Sequence, residues 1–329
     1  MTRMTLTPTT SLLFQGHRGP VYALLDMDAD HFLSGSGDGL VVRWSLKAPE
    51  RGEVIVDVGQ AIFALHRLPD ERHLLIGTEG GGVHMVDLRT RKEVHLYTVH
   101  RKGAFAFMDL PGGRLVVSGG DGSISIWSTA VPGRLDLQRQ IPISEAKVRG
   151  LALSPDRTLL AVADGDGPVH LLDSADMNEV HTLSGHDGGS LSALWHPTKP
   201  ALLTGGKDGH LRTWHAGEDY RPLLALPAHE AGIYALAFAQ EGPWLASASR
   251  DKTAKIWHLD TLEPRIRLDR RHGGHTHSVN ALLWKGERAI TAGDDKKILC
   301  WAFAPDPSPA SEGVEHRDQE GGQHPEEET

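Results

Sequence analysis

Cysteine is nearly absent. Cys300 is the single one in 329 residues, so an intrachain disulfide is excluded. No apolar run reaches the roughly 18 residues of a membrane helix. The opening stretch "MTRMTLTPTTSLLFQGH" also lacks an apolar core of signal-peptide length. Together these absences point to a cytoplasmic protein without membrane contact. Excess positive charge is missing too. The net charge is −9, and residues 304–329 hold eight acids against one arginine, or −7 of it. The remaining −2 is spread over the whole body, which argues against attraction of nucleic acid by the surface at large. Length alone would suggest domains of about 150 residues each, but an all-β domain can run longer.

What is present is a repeat. "SGSGDGLVVRW" ends at Trp44, and related stretches end at Trp127 ("SGGDGSISIW"), Trp214 ("TGGKDGHLRTW"), Trp257 ("SASRDKTAKIW") and Trp301 ("TAGDDKKILCW"). Weaker copies end at Val86 ("IGTEGGGVHMV") and Leu172 ("VADGDGPVHLL"). The steps between these closing positions are 42, 41, 45, 42, 43 and 44 residues, and five of the eight tryptophans share the register. A period of about 40–45 with four short strands per unit marks a β-propeller. In the first unit, "VYALLDM", "HFLSGS", "LVVRWS" and "EVIVDV" are rich in strand formers, and Gly or Asp turns separate the first three.

At these residues the chain resembles the WD-repeat family, over roughly Ser11 to Phe303. Gly-His occurs as Gly16-His17, Gly185-His186 and Gly274-His275, with Val99-His100 and Ala228-His229 as variants. Trp-Asp itself never occurs, although Asp87 and Asp173 remain where the tryptophan is lost. The resemblance implies an all-β, seven-bladed propeller. "SLLFQGH" matches a fourth strand, so Ser11–Gln15 is expected to complete the last blade and remove two free sheet edges. Residues 1–10 are then a flexible lead, 11–303 the propeller, and 304–329 an acidic disordered tail whose simplest role is solubility.

Five units carry His, Ser or Thr, Asp and Trp at matched spacing: His17, Ser34, Asp38, Trp44; His100, Ser118, Asp121, Trp127; His186, Thr204, Asp208, Trp214; His229, Ser247, Asp251, Trp257; and His275, Thr291, Asp295, Trp301. A catalytic triad uses the same residue types. Five copies would mean five active sites, however, and each serine sits inside a strand. By resemblance the four side chains form a hydrogen-bond relay from Asp to His to hydroxyl to indole. A half-kept buried network is costly, so its members should be lost together. The second unit has Ile76, Gly80 and Val86 in their places, and the fourth has Val162 and Leu172 and keeps Asp166 alone. The histidines of "RRHGGHTHS" (His272, His275, His277) read as a loop rather than a metal site. Gly35-Ser36-Gly37 has no Gly-Lys-Ser/Thr or helix after it, so a phosphate loop is not expected. No cofactor is implied.

The resemblance places function on the top face, around the central channel. There the residue after the first apolar position of each innermost strand tends to surface: Tyr22, Phe63, Phe105, Arg149, Ser192, Tyr234 and Asn280. The residue before each turn Asp adds Glu79, Lys207, Arg250 and Asp294, with glycine at 37, 120 and 165. Four of the first seven are Phe or Tyr, types that make up 11 of 329 residues, so the cluster is not a matter of composition. One arc is aromatic and acidic and suits a Lys or Arg side chain. The other is basic and suits a carboxylate or phosphate. The expected function is a non-catalytic scaffold for a protein or peptide, with a monomer favoured and nucleic acid disfavoured. The alternative is an enzyme or small-ligand sensor at the channel mouth.

Overall fold

The computed structural model describes residues 6–305 except 218. Seven four-stranded antiparallel sheets follow one another around a ring. In the first blade the order from the axis outward is Val21–Asp26, His31–Ser36, Leu40–Ser45 and Ala48–Asp57. The second strand of each blade is packed between its neighbours and is buried along nearly its whole length. The fourth strands are mostly exposed, as "KEVHLYT" shows.

Leu6–Phe14 pairs with Ile298–Pro305 and becomes the outer strand of the seventh blade. Phe14 lies opposite Ile298, Ser11 opposite Trp301 and Leu6 opposite Pro305. The closure is therefore present, and it begins ahead of Ser11, inside the segment expected to be a free lead. The last strand likewise runs past Phe303 to Pro305. The rest of the expected acidic tail, from 306 on, lies outside the described residues.

The core sits between blades. Leu33 and Val41 of the first blade pack with Ile62, Leu74, Ile76 and Val86 of the second. Across the closure, Phe14, Phe32 and Trp44 pack with Ala281, Ile290 and Cys300. Burial pushes the Cys300 thiol up to about 11, so it is a small core residue rather than a nucleophile. No helix among the described residues is long and apolar enough to cross a membrane.

The five relays form inside the blades. In the first, the Trp44 indole N–H donates to Ser34 Oγ (2.7 Å), the hydroxyl donates to His17 Nε2 (2.6 Å), and Nδ1–H donates to Asp38 (3.0 Å). The fifth, sixth and seventh blades repeat this through Thr204, Ser247 and Thr291, with every contact between 2.7 and 3.0 Å. The third blade differs. Trp127 donates to Ser125 Oγ (2.8 Å), and Ser125 is the hydroxyl bonded to His100 Nε2 (2.9 Å). The expected Ser118 is fully buried and its hydroxyl has no hydrogen-bond partner among the described residues. Ser125 stands two residues before Trp127 on the same strand face, where the first blade has Val42. The small polar side chain lets the histidine turn to it, and Nε2 accepts one hydroxyl, so Ser118 is left out.

"SGSGDGLVVRW" is thus a strand, a turn and a strand, with no helix after it. The glycines serve close approach. At Gly120 a Cβ would lie 1.6 Å from the Lys102 carbonyl oxygen, so no other residue fits where that loop crosses.

Candidate functional site

The innermost strand of every blade carries the same irregularity. Its pairing with the second strand shifts between the first and third residues, for example between Val21 and Ala23 and between Val148 and Gly150. One residue is left unpaired at each bulge, and a bulge re-aims its side chain. The seven bulge residues are Tyr22, Phe63, Phe105, Arg149, Leu191, Tyr234 and Asn280. All seven line one cavity of about 310 Å3 at the channel mouth, together with Lys147 and Asp294.

Six of the seven are the residues expected from the sequence. In the fifth blade the expected residue was Ser192. It is buried instead and donates to the Ile233 carbonyl of the next blade (3.1 Å). The strand begins at Ser190, a polar residue, so counting from the first apolar position slips the register by one. Leu191 holds the bulge.

The aromatic side chains touch in series. Tyr22 meets Phe63 edge-on at 5.3 Å, and Phe63 stacks on Phe105 at 5.0 Å with 7° between planes. The Arg149 guanidinium carbon lies 5.0 Å from the Phe105 centroid and 5.8 Å from that of Tyr234. Lys147 Nζ is also 5.8 Å from the Phe105 ring. These separations are within cation–π reach. Asn280 donates to Asp294 (2.7 Å) and to the Val21 carbonyl (3.2 Å), tying the seventh blade to the first.

Burial lowers the Arg149 value, against the opposite pull of Tyr234 and Tyr22. Burial raises the Tyr22 hydroxyl, and Asp294 and Glu79 raise it further. Glu79 itself is exposed and lies outside the cavity lining. Lys207 is ion-paired with Asp166. Lys207 and Arg250 line an adjoining hollow of about 330 Å3 with Arg149 and Tyr234. Another of about 350 Å3 joins Lys102, Lys147 and Arg149. Lys102 and Lys147 were not anticipated. They sit in the loops that lead into innermost strands, a signal visible as a lysine two or three residues ahead of the bulge.

Asp294 is the cavity's one carboxylate, and no histidine lines it. Among the described residues no group of three or more His, Cys, Asp or Glu could hold a metal ion. His275 belongs to its relay, and His272 faces Asp269.

The comparisons with known proteins agree with this architecture. The family model "WD domain, G-beta repeat" matches residues 7–45, 91–128, 177–215 and 220–258. The chain is 26% identical over 239 residues to telomerase protein component 1 of Rattus norvegicus, covering 71% of this chain and 9% of that protein. The Mus musculus protein of that name is 24% identical over 241 residues, again 71% and 9%. Protein groucho of Drosophila melanogaster is 28% identical over 199 residues, 58% of this chain and 26% of groucho. The chain thus spans 9% to 26% of the length of these relatives. The second and fourth blades, which lack the relay, lie mostly outside the four matched stretches. With seven blades, closure by an N-terminal strand and five relays, this chain belongs to the WD40-repeat family.

Proposed function

We propose that the protein is a non-catalytic scaffold that binds a protein or peptide at the mouth of its channel. The observation that carries this reading is the ring of seven bulge residues, which brings three aromatic rings in serial contact and an arginine to one small cavity. Aromatic and arginine side chains in a pocket are the usual anchors of an interface. The absence of a histidine and the single carboxylate, already bonded by Asn280, support a binding role over an acid–base one. The neutral body supports a protein partner over nucleic acid. A cytoplasmic setting belongs to the same proposal and rests on the lone, buried Cys300.

The test is a variant with Tyr22, Phe63 and Phe105 all changed to Ala. These side chains are only half-buried, so the variant keeps its cooperative melt. Affinity capture followed by mass spectrometry should lose the partners that the wild type retains. Unchanged capture by a folded variant would remove the mouth as the binding site.

A further inference from the structure

Resting on that reading, we infer that the mouth receives an acidic side chain, a glutamate or aspartate of the partner peptide, with Arg149 as its counter-charge.

The first ground is a missing partner. On the top face Lys207, beside Arg149 in the adjoining hollow, has Asp166 as its partner. Arg149 is more buried than Lys207, yet it makes no ion pair or hydrogen bond among the described residues; its contacts are the two rings. A partly desolvated guanidinium with its N–H fork open to a cavity fits a carboxylate in two parallel hydrogen bonds.

The second ground is that the rings are already engaged. Phe63 stacks against Phe105, and Arg149 and Lys147 both lie within reach of that ring. An incoming Lys or Arg would find this aromatic surface taken and two cations facing it. This revises the aromatic arc expected to suit a cation.

The third ground is charge balance. Two cations, Lys147 and Arg149, face one carboxylate, Asp294, across the cavity. A single carboxylate neutralises the excess. A phosphate monoester, at about −1.5 to −2, would leave uncompensated negative charge beside Asp294. The volume of about 310 Å3 is at the low end for ligand pockets and suits one side chain. Leu191, Phe63 and Tyr22 offer apolar walls for its methylene stem.

The experiment selects peptides from a random display library on the wild type, on Arg149→Gln and on the triple alanine variant, each checked for a cooperative melt. Enriched peptides are synthesised with acetylated and amidated ends, so that a side chain is the only carboxylate. The inference expects Glu or Asp at one fixed position on the wild type and its loss on Arg149→Gln. Changing that Glu to Gln should weaken wild-type binding by at least about tenfold in fluorescence polarisation. On Arg149→Gln the same change should matter less than about twofold. Lys or Arg at the fixed position overturns the inference, as does tighter binding of a phosphoserine peptide; both leave the peptide-binding reading standing. Enriched peptides that bind the triple variant equally well, or no enrichment at all, overturn both.

Discussion

The blades that keep the relay and the two that lost it solve the same packing problem differently. In the former, indole, hydroxyl, imidazole and carboxylate satisfy one another in a buried line. In the second and fourth blades the closing residues are Val86 and Leu172, both buried among apolar neighbours. Two residues earlier on the same strand, each has a histidine instead. His84 Nδ1 lies 2.5 Å from Glu93, and His170 Nδ1 lies 2.9 Å from Glu179, both on the outer strand. The other ring nitrogen of each is buried without a hydrogen-bond partner among the described residues, although His170 Nε2 lies 4.0 Å from the Asp164 carboxylate. Yet these two blades supply Phe63 and Arg149 to the mouth, on bulges like those of the other five. The relay fastens a blade; the bulge aims the site. The two devices are separable.

The largest effect should come from cutting a relay at its centre. Ser247→Ala leaves both the His229 Nε2 and the Trp257 indole N–H buried and unpaired. Two such orphans should cost about 2–4 kcal/mol in urea denaturation. Ser118→Ala, in a blade whose relay runs through Ser125, should stay within about 0.5 kcal/mol. Equal losses at the two sites would show that Ser118, not Ser125, closes the third relay. Trp127→Phe should also lower the melting temperature, since it removes the indole donor from Ser125, which keeps only its bond to His100.

Acid should act next, and on the relay blades first. Burial lowers His17, His186 and His229 from the ordinary 6.5, despite the aspartates beside them. A folded value below the unfolded one gives stability that is present above 6.5 and lost as pH falls through the lowered value. The aspartates add a second stage. Burial alone would raise Asp295, but the His275 hydrogen bond and charge and the Thr276 and Lys297 amides bring it down to about 2. That contribution is present above the ordinary 3.8 and lost below it. The melting temperature should therefore fall as pH drops below the ordinary histidine value of 6.5, then more steeply below about pH 4. His229→Gln should start lower and show a shallower first stage. An unchanged slope would mean that the buried histidines do not titrate with unfolding.

The blade count, the closure and most of the mouth were legible because they depend on spacing. A repeat near 40 residues fixes where each innermost strand starts, and the bulge then recurs at a constant offset. The errors fell where residue type stood in for position. Ser118 has the right type at the usual site, but Ser125 offers a hydroxyl on the neighbouring strand, and no spacing rule ranks the two. Ser190 is a polar residue at a buried strand start, so the first apolar residue was one place late. The series of ring contacts around Arg149 needed side-chain coordinates, because sequence places these residues on one face without saying which touch.

The smallest effect, and the sharpest form of the comparison, lies in the histidines of the blades without a relay. His84→Leu and His170→Leu each remove a buried nitrogen that has no hydrogen-bond partner among the described residues and return an outer-strand glutamate to water. The lost pairing and the relieved desolvation oppose each other, so each change should alter stability by less than about 1 kcal/mol. A histidine of the other class, such as His17, makes two satisfied contacts, and His17→Leu takes the imidazole from both the Ser34 hydroxyl and the Asp38 carboxylate. If His84→Leu proved as damaging as His17→Leu, the histidine–glutamate pair would be a second fastening device in its own right, and blades two and four would not be relay blades that had merely turned apolar.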